Sequence, residues 1–446
     1  MLVRFIVSNF LSFREEVEFN MLVGAFKTHQ NHIHEGPVKT LRASAIYGAN
    51  GAGKSNLIKS IEFLQNVVKD NGLVGSVEHL KYKLNDENIN KPISFEVEFI
   101  IAKKVYAYGV SFNRNLVIKE WLIESGISKD DKLIFNREIN KAGKIVITLA
   151  DKYSKTQKQK LLIELIRDNL LKSSELLLCK DEVLKIKEIT EFKSKILDDL
   201  VIIHPNSKFG GLVPSLTTSE NFRTFANNLL ETFDTGVCEL AVENVDFDKF
   251  FGEDDEVLKS NLINELVLGH NILLNDNGKG VLVTSDAQGN YIVKKVVSNH
   301  IDNHGKKVAF ELDEESDGTQ RLLDFIPAFS AILDQKVTYI IDEIDQSLHP
   351  ALLKALVKKI MDEENVEGQL VFTTHESNLL DLDIFRQDEI WFVEKSKSGN
   401  SSTIYSLSEY KPRYDLDIRK GYLKGRFGAI PFLASLEELN WGDYDS

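Results

Sequence analysis

The chain has 446 residues, 43% of them hydrophobic and 27% charged, with a net charge of −14. That balance is ordinary for a globular protein of two or three domains, and the acidic excess argues against a surface given over to non-specific DNA binding, which needs cations to displace counterions. No apolar run approaches the roughly 18–20 residues of a membrane span, Met1–Val7 is too short and too soon polar for a signal peptide, and Cys179 and Cys238 make neither a disulfide framework nor a zinc site, so a cytoplasmic protein without a membrane partner is expected.

Residues 1–20 alternate. Val3, Phe5 and Val7 are apolar, Asn9-Phe10-Leu11-Ser12-Phe13 turns, and Val17 and Phe19 resume, which predicts a hairpin of two strands. His29, His32 and His34 follow. No cysteine is near and Glu35 stands directly beside His34, a poor ligand spacing, so this stretch reads as a solvent-exposed loop. Ala43-Ser44-Ala45-Ile46-Tyr47 suits a buried strand, and Asn56 to Leu64 has apolar residues at helical spacing.

Between them stands Gly48-Ala49-Asn50-Gly51-Ala52-Gly53-Lys54-Ser55, with the spacing of a P-loop. Its glycines let successive N–H groups curl inward on phosphate oxygens. Lys54 reaches the β and γ phosphates, and the Ser55 hydroxyl holds Mg²⁺. Strand, glycine loop and helix start make an electropositive phosphate site. The predicted nucleotide contacts are Asn50, Gly51, Ala52, Gly53, Lys54, Ser55 and Asn56, with ATP and Mg²⁺ as cofactors.

Residues 93–150 change period. Ile93–Phe99, Val105–Phe112, Val117–Ile123, Lys132–Phe135 and Ile145–Ile147 are short strands with polar turns, hence an antiparallel β lobe. Residues 154–200 turn helical, with Leu161, Leu162, Leu165, Ile166, Leu170 and Leu171 roughly on one face. Glu220–Phe233 and part of Asp246–Leu268 read as helix, while Val281-Leu282-Val283 and Tyr291-Ile292-Val293 flank Gln288-Gly289-Asn290 as a hairpin. Val308–Leu312 reads as a strand, and a helix is expected from Arg321 to Leu333, in which Pro327 predicts a kink or a late start. Val337–Ile341 is a buried parallel strand ending in Asp342-Glu343, a helix follows from Pro350 to Met361, and Gln369–Thr374 is a second buried strand ending in His375. Glu389–Glu394 and Ser402–Leu407 close the sheet.

Asp342, at a strand end, is the natural partner of Ser55 for Mg²⁺. Glu343 points elsewhere as the chain leaves the strand, where a carboxylate can polarise an attacking water. His375 can sense or stabilise the γ-phosphate. Ser316-Asp317-Gly318-Thr319-Gln320 opens a second helix and so forms a second electropositive start. One nucleotide cannot easily use two such starts from one chain, which predicts composite sites across a two-fold dimer.

The order Gly48-x4-Gly53-Lys54-Ser55, Ser316-x-Gly318-Thr319-Gln320, Asp342-Glu343 and His375 resembles the head domain of ABC-type ATPases, in the SMC, RecF and OLD branch rather than the transporters. Asn9–Phe13 resembles that branch's first hairpin, whose turn lies near the adenine, and Asp345-Gln346-Ser347-Leu348-His349-Pro350 resembles its D-loop. The tail Gly421–Pro431 resembles bacterial abortive-infection ATPases of the RloA/AbiLi-like group, linked to phage defence. Asp317 replaces the signature's first glycine. No glutamine stands between Leu176 and Asp181, where the Q-loop is expected. Asp381-Leu382-Asp383 spells part of a Toprim metal motif, but it follows His375 too closely and reads as a surface turn.

The fold expected is α/β: an ABC-ATPase head with a P-loop parallel core sheet, an antiparallel β lobe and an inserted, mostly helical subdomain. The N-terminal ATPase lobe covers 1–150, the insertion 151–304 and the C-terminal ATPase lobe 305–446. The resemblance implies ATP hydrolysis with Glu343 and His375 catalytic and Ser316, Gly318, Thr319 and Gln320 acting in trans. It also implies a two-fold dimer or higher assembly that controls a separate effector, a nuclease, in anti-phage defence. A RecF/SMC-like DNA clamp and a nucleotide-gated assembly platform with little hydrolysis are the alternatives. Contact with DNA or a phage component has one candidate surface, Lys411, Arg413, Arg419, Lys420, Lys424 and Arg426 against Asp415 and Asp417, each of which taken singly reads as a solvated side chain.

Overall fold

The computed structural model describes residues 1–126, 130–207, 211–252, 256–267, 271–276, 279–286, 288–396, 400–413 and 416–430; Asp415, Leu268 and Pro431 lie outside them. The chain divides into two compact units, one of Met1–Ile202, Lys336–Glu343 and Met361–Ser446, the other of Ile203–Gln335 and Ile344–Ile360.

In the first unit the opening alternation does form a hairpin, Leu2–Ser8 with Val17–Asn20. It does not stand alone. Leu2–Ser8 pairs antiparallel with Ile93–Ile101, so the hairpin and the β lobe share one seven-stranded sheet. The remaining lobe strands, Lys104–Asn113, Leu116–Ser125, Lys132–Ile139 and Ile145–Leu149, follow as a meander, each antiparallel to the last.

The second sheet has six strands in the order Leu200–Ile203, Thr338–Ile341, Gln369–Thr374, Ala43–Tyr47, Ile390–Lys395 and Ser402–Ser406. Thr338–Ile341, Gln369–Thr374, Ala43–Tyr47 and Ile390–Lys395 run parallel. Their continuous apolar runs reflect burial on both faces; every residue of the first three is buried. The helix Lys54–Lys69 packs on the antiparallel sheet, where Phe63 meets Phe10, Phe95 and Phe112 at centroid distances of 5.7, 5.5 and 5.9 Å. Gln369 ties strand starts together. It is fully buried, accepts from Leu2 N–H (2.6 Å) and the Thr338 hydroxyl (3.0 Å), and donates to the carbonyls of Leu2 and Leu41 at 3.0 Å each. A buried amide is tolerated because its bonding capacity is met.

Residues 151–202, expected in the insertion, belong to the first unit. The reason is packing. Phe192, on the helix Lys187–Leu197, lies 5.6 Å from both Phe99 and Tyr108, and Gln65 donates to the carbonyls of Ile196 and Leu200 at 2.8 and 2.7 Å. The histidine stretch also differs from expectation. His32 is buried with Nδ1 3.1 Å from the Glu389 carboxylate, His34 Nε2 is 2.9 Å from the Gly368 carbonyl, and His29 Nε2 is 2.7 Å from the Leu382 carbonyl. Burial pushes both His32 and His34 down to about 4. Partners more than 300 residues away make this a packed segment, and local polarity does not reveal them.

The second unit holds helices and a five-stranded antiparallel sheet. Glu239–Asp246 pairs with Tyr291–Ile301, which pairs with Lys279–Ser285 and Lys307–Glu311, and Lys279–Ser285 pairs with Ile272–Asp276. The hairpin read at 280–297 is one part of this sheet. Its other strands are irregular in pattern because polar residues such as Glu243 and Asn244 occupy their exposed positions. Helices occupy Glu220–Thr232, Phe247–Phe251 and Glu256–Val267. The helix Asp317–Asp334 passes through Pro327 without ending and starts earlier than Arg321, with Ser316 as its N-cap. No helix among the described residues is long and apolar enough to cross a membrane.

Phe192→Ala is expected to destabilise the first unit by about 3–5 kcal/mol through lost burial and a residual cavity. Urea unfolding followed by tryptophan fluorescence reads this, and an unchanged midpoint would refute the packing role.

Candidate functional site

The parallel register brings three strand ends to one edge of the sheet. Tyr47 is paired with Thr374, and Ile341 with Phe372, so Gly48, Asp342 and His375 leave the sheet at the same carboxyl edge. That edge is where open α/β sheets bind ligands. The P-loop then turns into the helix Lys54–Lys69, whose N-cap is Gly53.

Two glycines are required by close approach. A Cβ on Gly48 would lie 2.4 Å from the Val393 carbonyl oxygen. Gly53 has φ +120°, and a Cβ there would lie 2.4 Å from the Ser402 hydroxyl. The Ser402 hydroxyl donates to the Ala52 carbonyl at 2.5 Å, and the Ser402 N–H donates to the Ser12 carbonyl at 2.7 Å. Asn56 Nδ2 donates to the Ser12 hydroxyl at 2.8 Å. The turn of the first hairpin, the P-loop and the strand Ser402–Ser406 are therefore one bonded assembly. Ser402 has no signal in the sequence.

Lys54 is 5% exposed. Its ammonium donates to the Gly48 carbonyl (2.8 Å), the Ala49 carbonyl (3.4 Å) and His375 Nε2 (2.8 Å). That nitrogen of His375 accepts, since an ammonium has only donors. Lys54 and His375, 321 residues apart in sequence, thus meet. Asp342 is buried, and its Oδ1 accepts from the Thr373 hydroxyl at 2.5 Å. Glu343 takes φ +51°, and its N–H donates to the same Thr373 oxygen at 2.8 Å. The residues fit a magnesium nucleotide. The loop offers glycine backbone and an ammonium, and Ser55 and Asp342 carry hard oxygen atoms of the kind Mg²⁺ takes.

Ser316 to Gln320 falls in the other compact unit. The Ser316 hydroxyl caps the helix by accepting from Thr319 N–H at 3.2 Å, and Gln320 Nε2 donates to the Glu315 carbonyl at 2.8 Å. A Cβ on Gly318 would lie 2.9 Å from the Ser347 carbonyl oxygen, so this glycine lets the helix start meet the Asp345–Pro350 loop. Where a Q-loop is expected, Leu176, Leu177 and Leu178 are fully buried, and the N–H groups of Leu177 and Leu178 donate to Glu120 at 2.7 and 2.9 Å. Burial raises the Glu120 carboxyl, while those N–H groups lower it. In the tail, Tyr422 and Phe427 stack on Phe392 at 5.6 and 6.1 Å, and Tyr422 also meets Tyr47, the residue before the P-loop, at 6.2 Å.

A family model matches the chain over residues 43–170 and 179–381, which include the P-loop, Asp342, Glu343 and His375. The chain belongs to the AAA_21 family, described as "AAA domain, putative AbiEii toxin, Type IV TA system". It is an ATPase-type domain resembling abortive-infection proteins. Among solved structures it is similar to an SMC head bound to the C-terminal winged-helix domain of ScpA (14% identity, TM-score 0.46, 92% of this chain and 99% of that chain). It is also similar to the SMC head domain from Thermotoga maritima (12%, 0.37, 91% and 98%). A third is the Smc head with an extended coiled coil bound to the C-terminal domain of ScpA, derived from Pyrococcus furiosus (14%, 0.40, 95% and 99%). No curated protein matches.

Gly53→Ala should abolish binding of a fluorescent ATP analogue while leaving the far-UV circular dichroism spectrum in place, because the strain and the clash fall on the loop. Retained affinity would mean that the loop is not the phosphate cradle.

Proposed function

We propose that the AAA_21 chain binds and hydrolyses ATP with Mg²⁺ at composite sites of a two-fold dimer, and that this cycle controls a separate toxic effector, a nuclease, in anti-phage defence. The observation that carries the ATPase reading is the meeting of Lys54, His375 and the Asp342-Glu343 turn at one sheet edge. Asn50 to Asn56 supplies the phosphate cradle, and Ser55 and Asp342 hold the metal, which when bound neutralises charge on the phosphates. Lys54 leaves backbone carbonyls for phosphate oxygens. Glu343 takes a proton from the attacking water, and His375 holds the γ-phosphate end of the site. Ser316, Gly318, Thr319 and Gln320 close the site from a second copy, since a helix start with its own hydroxyl cap is a second anion-binding end.

The toxin–antitoxin affiliation of the family supports coupling to an effector. A cytoplasmic location and a division into N-terminal lobe, insertion and C-terminal lobe belong to this reading. The exposed cations Lys411, Arg413, Arg419, Lys420, Lys424 and Arg426 support the second reading, a DNA clamp. ATP-dependent and salt-sensitive DNA binding would put it first.

Glu343→Gln is expected to lower turnover by about 10²- to 10⁴-fold with nucleotide affinity retained. Equal, near-zero rates in both chains would favour a nucleotide-gated platform over an enzyme. Mixing Lys54→Ala chains with Ser316→Arg chains should recover about one working site per dimer; no recovery would count against sites shared between copies.

A further inference from the structure

Thr373 carries a hydroxyl near the carboxyl end of a buried parallel strand, Gln369–Thr374, and is itself fully buried. A strand in that position reads as an unbroken apolar run, and a threonine there is stable only if its oxygen is bonded. The bonds it makes are specific. The hydroxyl proton goes to Asp342 Oδ1 at 2.5 Å, and the oxygen accepts the backbone N–H of Glu343 at 2.8 Å. One oxygen atom thus holds the carboxylate of the candidate metal ligand and the backbone of the candidate base. Glu343 is in the left-handed region at φ +51°, which a glutamate adopts only when its surroundings impose it. Its N–H is held there by the bond to Thr373.

We propose that Thr373 is a positioning residue of the ATPase site: its hydroxyl orients Asp342 toward the metal and fixes the turn that aims Glu343 at the water. This rests on the ATPase reading above and extends it to a residue outside the nucleotide motifs. The bonds of the Thr373 hydroxyl run to Asp342 and Glu343. It acts through these two groups, as an outer hydrogen-bond partner does for a metal ligand. The polarity of the chain of bonds matters. With its single proton given to the carboxylate, the hydroxyl can only accept from Glu343, so both bonds form together.

The test uses the full chain as wild type, Thr373→Ser and Thr373→Val, valine keeping shape and β-branching while removing the hydroxyl. Two quantities are read: kcat and KM for ATP, and the affinity for a non-hydrolysable ATP analogue with Mg²⁺ and with EDTA. For Thr373→Val, kcat and the Mg²⁺-dependent gain in analogue affinity should each fall by about 10- to 100-fold. The affinity in EDTA should not move, and Thr373→Ser should restore both losses. Thermal melting checks that the valine chain folds, and Thr373→Ala replaces it if it does not. Loss of folding in both with serine folded would assign Thr373 to stability alone and overturn the proposal. So would a valine chain with wild-type turnover and Mg²⁺ response, or equal losses in valine and serine. A wild-type chain that hydrolyses nothing and gains no affinity from Mg²⁺ would defeat the ATPase reading itself and this proposal with it.

Discussion

A buried ammonium sets the terms at the P-loop. Lys54 is almost wholly out of water, so its charge must be met by the carbonyls of Gly48 and Ala49 and by His375. Two of those partners belong to the loop itself, and the third arrives from a strand more than 300 residues later. The loop can take this form only because glycine stands where Val393 and Ser402 come closest.

The parallel sheet converts that local arrangement into a shared edge. Because neighbouring strands are in fixed register, a residue one step beyond Ile341 is level with Thr373, and one step beyond Thr374 lies beside the loop that follows Tyr47. Shifting any strand by one residue would exchange inward and outward side chains and break the set. Buried polar side chains secure the register. Gln369 locks the amino ends of the strands, and the aromatic stack of Phe392, Tyr422 and Phe427 packs beside Tyr47 at the other end. The tail therefore has a physical task in this fold, which is to support the strand that carries the P-loop.

The motifs divide between compact units. The P-loop, Asp342, Glu343 and His375 lie in one, and Ser316 to Gln320 with Ser347 lie in the other. Within its unit, Gly318 is bound by proximity to Ser347, so the helix start and the D-loop-like turn form one piece.

Much of this was legible in residues 43–64 and 337–375. Strand, glycine loop and helix differ in period, and beside a P-loop an apolar run that ends in Asp-Glu or His is the pattern of a strand delivering a polar group to phosphate. The alternation at 1–20 and 93–150 was equally plain, since each face of those strands sees a different environment. What sequence did not show were bonds between distant segments. His32 reads as a loop histidine until Glu389 is beside it, and residues 151–202 read as an insertion until Phe192 meets Phe99 and Tyr108. The five-stranded sheet of the second unit was mostly hidden because its strands carry polar residues on an exposed face. Thr373 was visible only as a polar interruption of an apolar strand, and its bonds to Asp342 and Glu343 exist only once two parallel strands are in register. The chain by itself determined where the glycine loop and the polar strand ends fall, because spacing and residue type act locally. The tertiary structure decided which buried polar groups satisfy one another, because burial makes each of them depend on a partner that sequence separation does not reveal.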